Sequence, residues 1–442
     1  MNRKNKVDII GAGPSGLSVG YFGKKKGISV RIHESSENIG GNCRTIKMGD
    51  FRFDTGAHRF HDKISIITNE IKQLMGKDLL KVNNPSKIYF EGRMIDFPLN
   101  FQSVVKNLKL PEILSIFFEN AFNIFNKKCD YENFEQLAYG KYGKTLSNLF
   151  LINYTEKLWG NKARKLQTTI SGNRLKDLNI QSMIFDMIFK RSKPRHFEGS
   201  FYYPKFGYGT IFEKMADFIE YENINLNSKV NRIFHDEKNI KEIECENGKT
   251  IEVLNVINTM PITSIFKTLT PSPPQHLIDK ANNFKFRNLK LCIFTLDFPS
   301  LSNNASIYFP NKSTSITRIC EPKNRSLNMA PKDKTSIVVE IPYSIGDNIA
   351  SMDDQEIITM VKFSLIKENL IKNSDVIDFK VFTIKNAYPI LQIGQKENIS
   401  ELINYLQSFK NHQLIGRNIE FSYLHTHKIM YKAKAIIEKL SY

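Results

Sequence analysis

Residues Val7-Asp8-Ile9-Ile10-Gly11-Ala12-Gly13-Pro14-Ser15-Gly16 read as a short apolar strand running into Gly-x-Gly-x-x-Gly. Eighteen residues after Gly16, a second apolar run, Ile28-Ser29-Val30-Arg31-Ile32, has led to Glu34. Strand, glycines, helix and acid at these offsets form the dinucleotide fingerprint. Gly11 permits the tight turn, Gly13 lets a pyrophosphate approach the backbone, and Gly16 lets the helix lie close to the strand. The anion then rests on free N–H groups at the helix N-terminus, with Ser15 in the same turn, and Glu34 is placed to accept hydrogen bonds from a ribose.

A chain of 442 residues exceeds what one hydrophobic core organises, so two or three domains are expected. No stretch approaches the roughly twenty apolar residues of a membrane-spanning helix, and Met1-Asn2-Arg3-Lys4-Asn5-Lys6 leads directly into the first strand. The expectation is a mature cytoplasmic protein without a signal peptide. Cys43, Cys129, Cys245, Cys292 and Cys320 are scattered, which argues against a disulfide framework and a metal cluster and suits a reducing compartment. The net charge of +18 admits a nucleic acid, an anionic membrane surface or an anionic small substrate as partner. Lys24-Lys25-Lys26 sits where cations complement the end of the first helix, and no basic stripe carries interleaved aromatics. No nucleic-acid partner is therefore expected; an anionic nucleotide-linked substrate, or peripheral work at the inner membrane face, fits the charge.

FAD rather than NAD is indicated by Gly40-Gly41-Asn42-Cys43-Arg44-Thr45, which resembles the second cofactor motif of the glutathione-reductase-like flavoproteins. Phe53-Asp54-Thr55-Gly56-Ala57-His58-Arg59-Phe60-His61 resembles the flavin-side loop of UDP-galactopyranose mutase and its relatives. That resemblance implies that His58 lies against the isoalloxazine, and that Gly41, Asn42 and Arg44 belong to the cofactor site.

The expected fold class is α/β, a discontinuous Rossmann-like FAD-binding domain with an inserted helical domain and an antiparallel β-sheet domain. Residues 1–100, 201–285 and 386–442 are assigned to the cofactor domain, 101–200 to the helical insertion and 286–385 to the sheet. Within the second cofactor segment, a helix over Phe212 to Ile219 and a strand at Ser228-Lys229-Val230-Asn231-Arg232-Ile233 precede a hairpin around Asn247-Gly248. The resemblance puts Val230 at the adenine end of FAD. Val253 to Pro261 reads as an apolar strand closed by proline, which the resemblance returns to the dinucleotide sheet; His412 to Asn418 is the last part of the cofactor domain, followed by a helix from about Lys428 to Leu440. Apolar residues at three and four spacing mark the helical insertion, and short alternating runs such as Leu291-Cys292-Ile293-Phe294-Thr295-Leu296 mark the sheet. Patterning assigns the aromatic stretch Phe117 to Phe125 to a bundle core, with a membrane-docking face as the alternative.

Asn153-Tyr154-Thr155-Glu156-Lys157-Leu158-Trp159-Gly160 holds the chain's only tryptophan. Tyr-Thr-x-Lys-x-Trp is similar to the nucleotide-binding helix of the mutases, which implies that Tyr154 and Thr155 hold the nucleotide and Trp159 lies by the sugar. Aromatic faces with polar tips suit stacking on a base. Ser315-Ile316-Thr317-Arg318-Ile319-Cys320-Glu321 resembles the strand that presents one diphosphate arginine, and Pro194-Arg195-His196-Phe197 the mobile loop that carries another, with Arg174 as a substitute for Arg195. A planar guanidinium can grip phosphate oxygens with two prongs. Tyr388 and Tyr423 match the tyrosines that reach the diphosphate, and Gly416-Arg417 matches the pair that contacts the flavin. The pattern breaks after Tyr423, where the family's acid two positions on is His425, so a different sugar or a different reaction follows.

The resemblance implies an FAD-dependent mutase, active with reduced flavin, that interconverts pyranose and furanose forms of a nucleotide-diphosphate sugar for surface polysaccharide synthesis. NAD(P)H is the candidate reductant, and a homodimer is compatible with the family. His58, Arg195, Arg318, Tyr388, Tyr423 and His425 are the candidate catalytic residues, and no metal is expected. The alternative is an FAD-dependent oxidoreductase of the amine-oxidase or desaturase kind.

Overall fold

The computed structural model describes residues 6–99, 101–125, 130–171 and 200–440. Lys6–Ile10 forms the centre of a five-stranded parallel sheet, paired with Ser29–His33 on one side and Val256–Asn258 on the other. Ile224–Asn225 and His412–Leu414 complete its edges. Strands covered on both faces need continuous apolar runs, and Val7, Ile9, Ile32, Val256 and Ile257 are all at most 1% exposed.

The helix Pro14–Lys25 starts with proline, whose missing N–H is no loss in a first turn. Gly11 adopts φ +100°, which only glycine takes without strain, and a Cβ on Gly16 would lie 1.8 Å from the Gly11 carbonyl oxygen. The helix can therefore sit directly on the turn that precedes it. Helices Thr210–Ile219 and Thr426–Lys439 flank it.

A second, four-stranded sheet comprises Thr250–Glu252, Ile240–Cys245, Val230–His235 and Leu269–Thr270. The third sheet has seven strands, ordered Val376–Pro389, Phe286–Leu296, Thr335–Tyr343, Arg318–Cys320, Ser306–Tyr308, Ser86–Phe90 and Arg93–Phe97. Phe286–Leu296 is apolar on both faces. Cys292, Phe294 and Leu296 pack with Ile357, Val361 and Leu365 of the covering helix Asp354–Lys367. Leu289, Leu291 and Ile293 face the opposite way, towards Phe53 next to the flavin-side loop. The hairpin Ser86–Phe97 departs from the sequence reading. Its first strand pairs in parallel with Ser306–Tyr308, so it extends the mixed sheet rather than the dinucleotide sheet.

The helical segment contains Phe101–Asn107, Leu110–Phe125 and Phe134–Tyr142, the last capped by Asn133, whose side chain accepts from the Gln136 N–H at 2.9 Å. From Lys144 the chain stays helical through a π-turn at Ser147–Ile152 into Asn153–Trp159. Phe117 is half-buried and Phe118 exposed, so the aromatic stretch is not wholly core.

We predict that Gly16→Ala lowers stability by about 1–3 kcal/mol, because the added methyl overlaps backbone rather than a movable side chain. Thermal unfolding and flavin absorbance of the purified variant check this; a fully loaded variant of parental stability would contradict it.

Candidate active site

A cavity of about 660 Å³ runs from the glycine turn to the mixed sheet. Its lining takes in Gly11, Gly13, Ser15, Glu34, Gly41 and Asn42, with Gly416 beside Ser15 and His58 bonded to Asn42, and also Arg318, Tyr388, Arg417, Tyr423 and His425. A smaller apolar cavity of about 90 Å³ holds Tyr154, Thr155 and Trp159. Phe97, Tyr308 and Tyr423 wall both. Gly16 stands behind the turn, Arg44 does not line either cavity, and Val230 is buried in the second sheet. Arg174 and Arg195 lie outside the described residues.

Glu34 is held by its own loop: Oε2 accepts from the Ala12 N–H at 2.7 Å, and Oε1 accepts from the Ser36 N–H at 2.9 Å. The acid is thus pinned at the far edge of the glycine turn.

Asp54 organises the flavin-side loop. It accepts from Thr45 Oγ1 at 2.7 Å, from Tyr203 Oη at 2.5 Å and from the Tyr208 N–H at 2.9 Å. Burial raises its pKa despite these donors. Tyr208 in turn stacks on His58, with ring centroids 5.1 Å apart. The His58 imidazole donates from Nε2 to the Asn42 carbonyl if that nitrogen carries the proton, at 2.9 Å. Burial, reinforced by the Arg325 charge, pushes its pKa down to about 3, so the ring is neutral near pH 7.

Arg417 is sandwiched between two aromatic faces, its guanidinium carbon 4.7 Å from the Tyr388 ring centroid and 4.8 Å from that of Tyr423. Its Nε and Nη2 are buried and meet no acceptor among the described residues. Leaving such donors unmet costs about 1–3 kcal/mol each. A ligand rich in acceptors would satisfy them, which is what an FAD in this cavity supplies.

Arg318 departs from its expected use. Its Nε and Nη2 donate to the two carboxylate oxygens of Glu340 at 2.9 and 2.7 Å, deep in the mixed sheet. A buried guanidinium requires a counter-charge, and here the two-pronged face is taken by protein. Nη1 makes neither bond, so a ligand would meet a single edge.

Two further cations, neither assigned a role from sequence, bolt the tryptophan helix to the mixed sheet and to the loop between its strands Ser306–Tyr308 and Arg318–Cys320. Lys157 Nζ donates to the carbonyls of Asn311, Thr314 and Ile316 at 2.8, 3.1 and 2.7 Å. Arg287 donates to the Leu158 and Lys157 carbonyls at 3.2 and 3.0 Å, and also to Ser344 and Asp347. Cations at a helix C-terminus are favoured by its exposed carbonyls. Trp159 is thereby held 5.9 Å from the ring of Tyr388.

His425 precedes the helix Thr426–Lys439 without a side-chain cap bond. Its ring stacks on His427 at 5.6 Å, and the His61 ring approaches edge-on at 5.6 Å. Burial, with Lys63 and Lys428 near, pushes the His427 pKa down to about 4. Three imidazoles thus occupy a place where the resemblance anticipates an acid. Among the described residues, no group of histidine, cysteine and acidic side chains is arranged to hold a metal ion.

The family model for flavin containing amine oxidoreductases matches residues 14–362. The chain belongs to that family. It is an FAD flavoenzyme, and the cavity beside the glycine turn meets the needs of such a cofactor. Its relatives within the family include a probable UDP-galactopyranose mutase of Klebsiella pneumoniae, 27% identical over 235 residues, which are 51% of this chain and 56% of that protein. A dTDP-fucopyranose mutase of Escherichia coli is 26% identical over 237 residues, 52% of this chain and 58% of that protein. The chain thus matches just over half the length of these curated relatives. A crystal structure of reduced UDP-galactopyranose mutase superposes with a TM-score of 0.87 at 18% identity, covering 99% of this chain and 95% of that one, which establishes the fold.

Arg417→Met is expected to weaken FAD binding roughly ten- to hundredfold while leaving the flavin-free protein no less stable, because it removes donors that only a ligand satisfies. Flavin titration and unfolding of both forms check this; unchanged affinity would contradict it. Lys157 gives a pH signature. Burial pulls its pKa down to about 7, whereas an unfolded lysine titrates near 10.5. Between those values the unfolded chain holds the extra proton, so stability contributed at this site rises with pH. Relative to Lys157→Met, the parent should gain stability from pH 7 towards pH 10; a difference independent of pH would count against it.

Proposed function

We propose that this flavoenzyme is a nucleotide-sugar mutase that interconverts pyranose and furanose forms of a sugar carried on a nucleoside diphosphate. The observation that carries this reading is the shared wall of the two cavities. Beyond the groups that serve FAD, the larger carries Arg318 and Tyr388, and an aromatic slot beside Trp159 is the smaller, with Tyr423 and Tyr308 common to both. An apolar amine would offer no acceptor to the edge of Arg318 left beside Glu340.

In this assignment Gly11, Gly13, Ser15, Glu34, Gly41, Asn42 and Arg417 would hold FAD, with His58 beside it as a neutral imidazole. Reduced FAD supplies the nucleophile for the anomeric carbon. Tyr154 and Thr155 hold the nucleotide, and Trp159 lies by the sugar. Arg318, Tyr388 and Tyr423 would stabilise charge on the departing diphosphate. The bond from the anomeric carbon to the diphosphate oxygen breaks and re-forms around the change in ring size. Electrons therefore balance without a net oxidant, and NAD(P)H serves only to prime the flavin. His425, in place of an acid, alters the sugar contacts, which favours a sugar other than galactose, such as a deoxyhexose on UDP, dTDP or CDP.

Anaerobic protein reduced with dithionite, incubated with UDP-, dTDP-, CDP- and GDP-sugars and followed by NMR, should yield a furanose anomeric signal with one of them and none with oxidised flavin. Failure with all donors would count against the reading. Trp159→Ala should weaken that nucleotide sugar about tenfold, the loss of one stacked aromatic contact, with FAD content unchanged. Parental affinity would remove Trp159 from the site.

A further inference from the structure

We propose that the outward face of the helix Leu110–Phe125 docks on an anionic phospholipid surface. A surface helix ordinarily turns its charges outwards, and this one does not. It contains no lysine or arginine. Of its two acids, Glu112 folds back to accept from the Lys109 N–H at 2.8 Å, and Glu119 accepts from the Thr145 N–H and hydroxyl at 2.8 Å each. Ile113 and Ile116 pack on the core. Among the described side chains, Leu110, Leu114 and Phe118 face outwards, exposed by 68%, 47% and 57%, in steps of four along one face, with the uncharged Pro111 and Ser115 exposed beside them. Val105 of the preceding helix is 40% exposed. An apolar face of this kind is characteristic of a helix lying in a membrane interface.

Charge selects the occupant. Lys106 and Lys109 are exposed at the start of the stripe, and the chain as a whole carries +18. A second copy would bring the same charge to the same place, whereas an anionic bilayer complements it and draws in juxtaposed lysines. The apolar stripe supplies insertion and the lysines supply the preference for anionic headgroups, two effects that can be separated by mutation.

The test is co-sedimentation of the full-length, FAD-loaded chain with phosphatidylcholine vesicles, with and without phosphatidylglycerol. The parent should partition onto the phosphatidylglycerol vesicles and not onto phosphatidylcholine alone, and added salt should weaken it. The double variant Leu114→Glu, Phe118→Glu should lose about tenfold in partitioning, with its flavin spectrum and far-ultraviolet circular dichroism unchanged. Lys106→Glu, Lys109→Glu should lose the preference for phosphatidylglycerol. The proposal is overturned if the parent ignores phosphatidylglycerol vesicles, or if the apolar variant binds them as the parent does. It is also overturned if sedimentation velocity shows that the apolar variant converts a dimer into a monomer, since the face would then join two copies.

Discussion

The contact between Gly16 and the carbonyl of Gly11 governs the first half of the site. Because no side chain intervenes, the helix Pro14–Lys25 starts close behind the central strand of the parallel sheet. Its free N–H groups then face the cavity, where an anion gains from them and from the aligned peptide dipoles. The loop that pins Glu34 is tied to the same turn through Ala12. Enlarging Gly16 would therefore disturb the packing, the helix N-terminus and the placement of Glu34 together.

Buried cations govern the second half. Lys157 and Arg287 donate mainly to main-chain carbonyls, and so join the tryptophan helix to the loop after Ser306–Tyr308 and to the strand Phe286–Leu296, both distant in sequence. Arg318 and Glu340 neutralise each other inside the sheet that forms the opposite wall. Burying such charges is expensive and gives little net stability, but losing one partner is costly because the other is stranded. The pair consequently fixes where the remaining edge of Arg318 is presented. Arg417 differs, since its unmet donors are left for a ligand.

Local signals made the fold class legible. The glycine turn, the strand ending at Glu34, and the apolar alternation of Leu291 to Leu296 each state their element within a few residues. The motifs around His58, Trp159, Arg318 and Gly416 were visible as short strings, and the folded chain gathers them around two adjoining cavities. Pairings across long separations were not legible. Nothing local in Ser86 to Phe97 indicates that it adds to a sheet formed mostly beyond residue 286, because register is set by partners over two hundred residues away. The Arg318–Glu340 pair was hidden for the same reason, although a lone acid within Ile337-Val338-Val339-Glu340-Ile341 is a signal that a buried cation must oppose it. Arg287 offers the same clue in its own strand.

The central claim is that one protein holds a reduced flavin and a nucleotide diphosphate together and returns the flavin unchanged. The most direct measurement is the flavin's visible absorbance under strict exclusion of oxygen, recorded while a converted nucleotide sugar passes through many turnovers. The account predicts that the spectrum stays that of reduced flavin while substrate is consumed far beyond the amount of enzyme. Reoxidation of the flavin in step with each molecule of product would contradict it and make the reaction a net redox one.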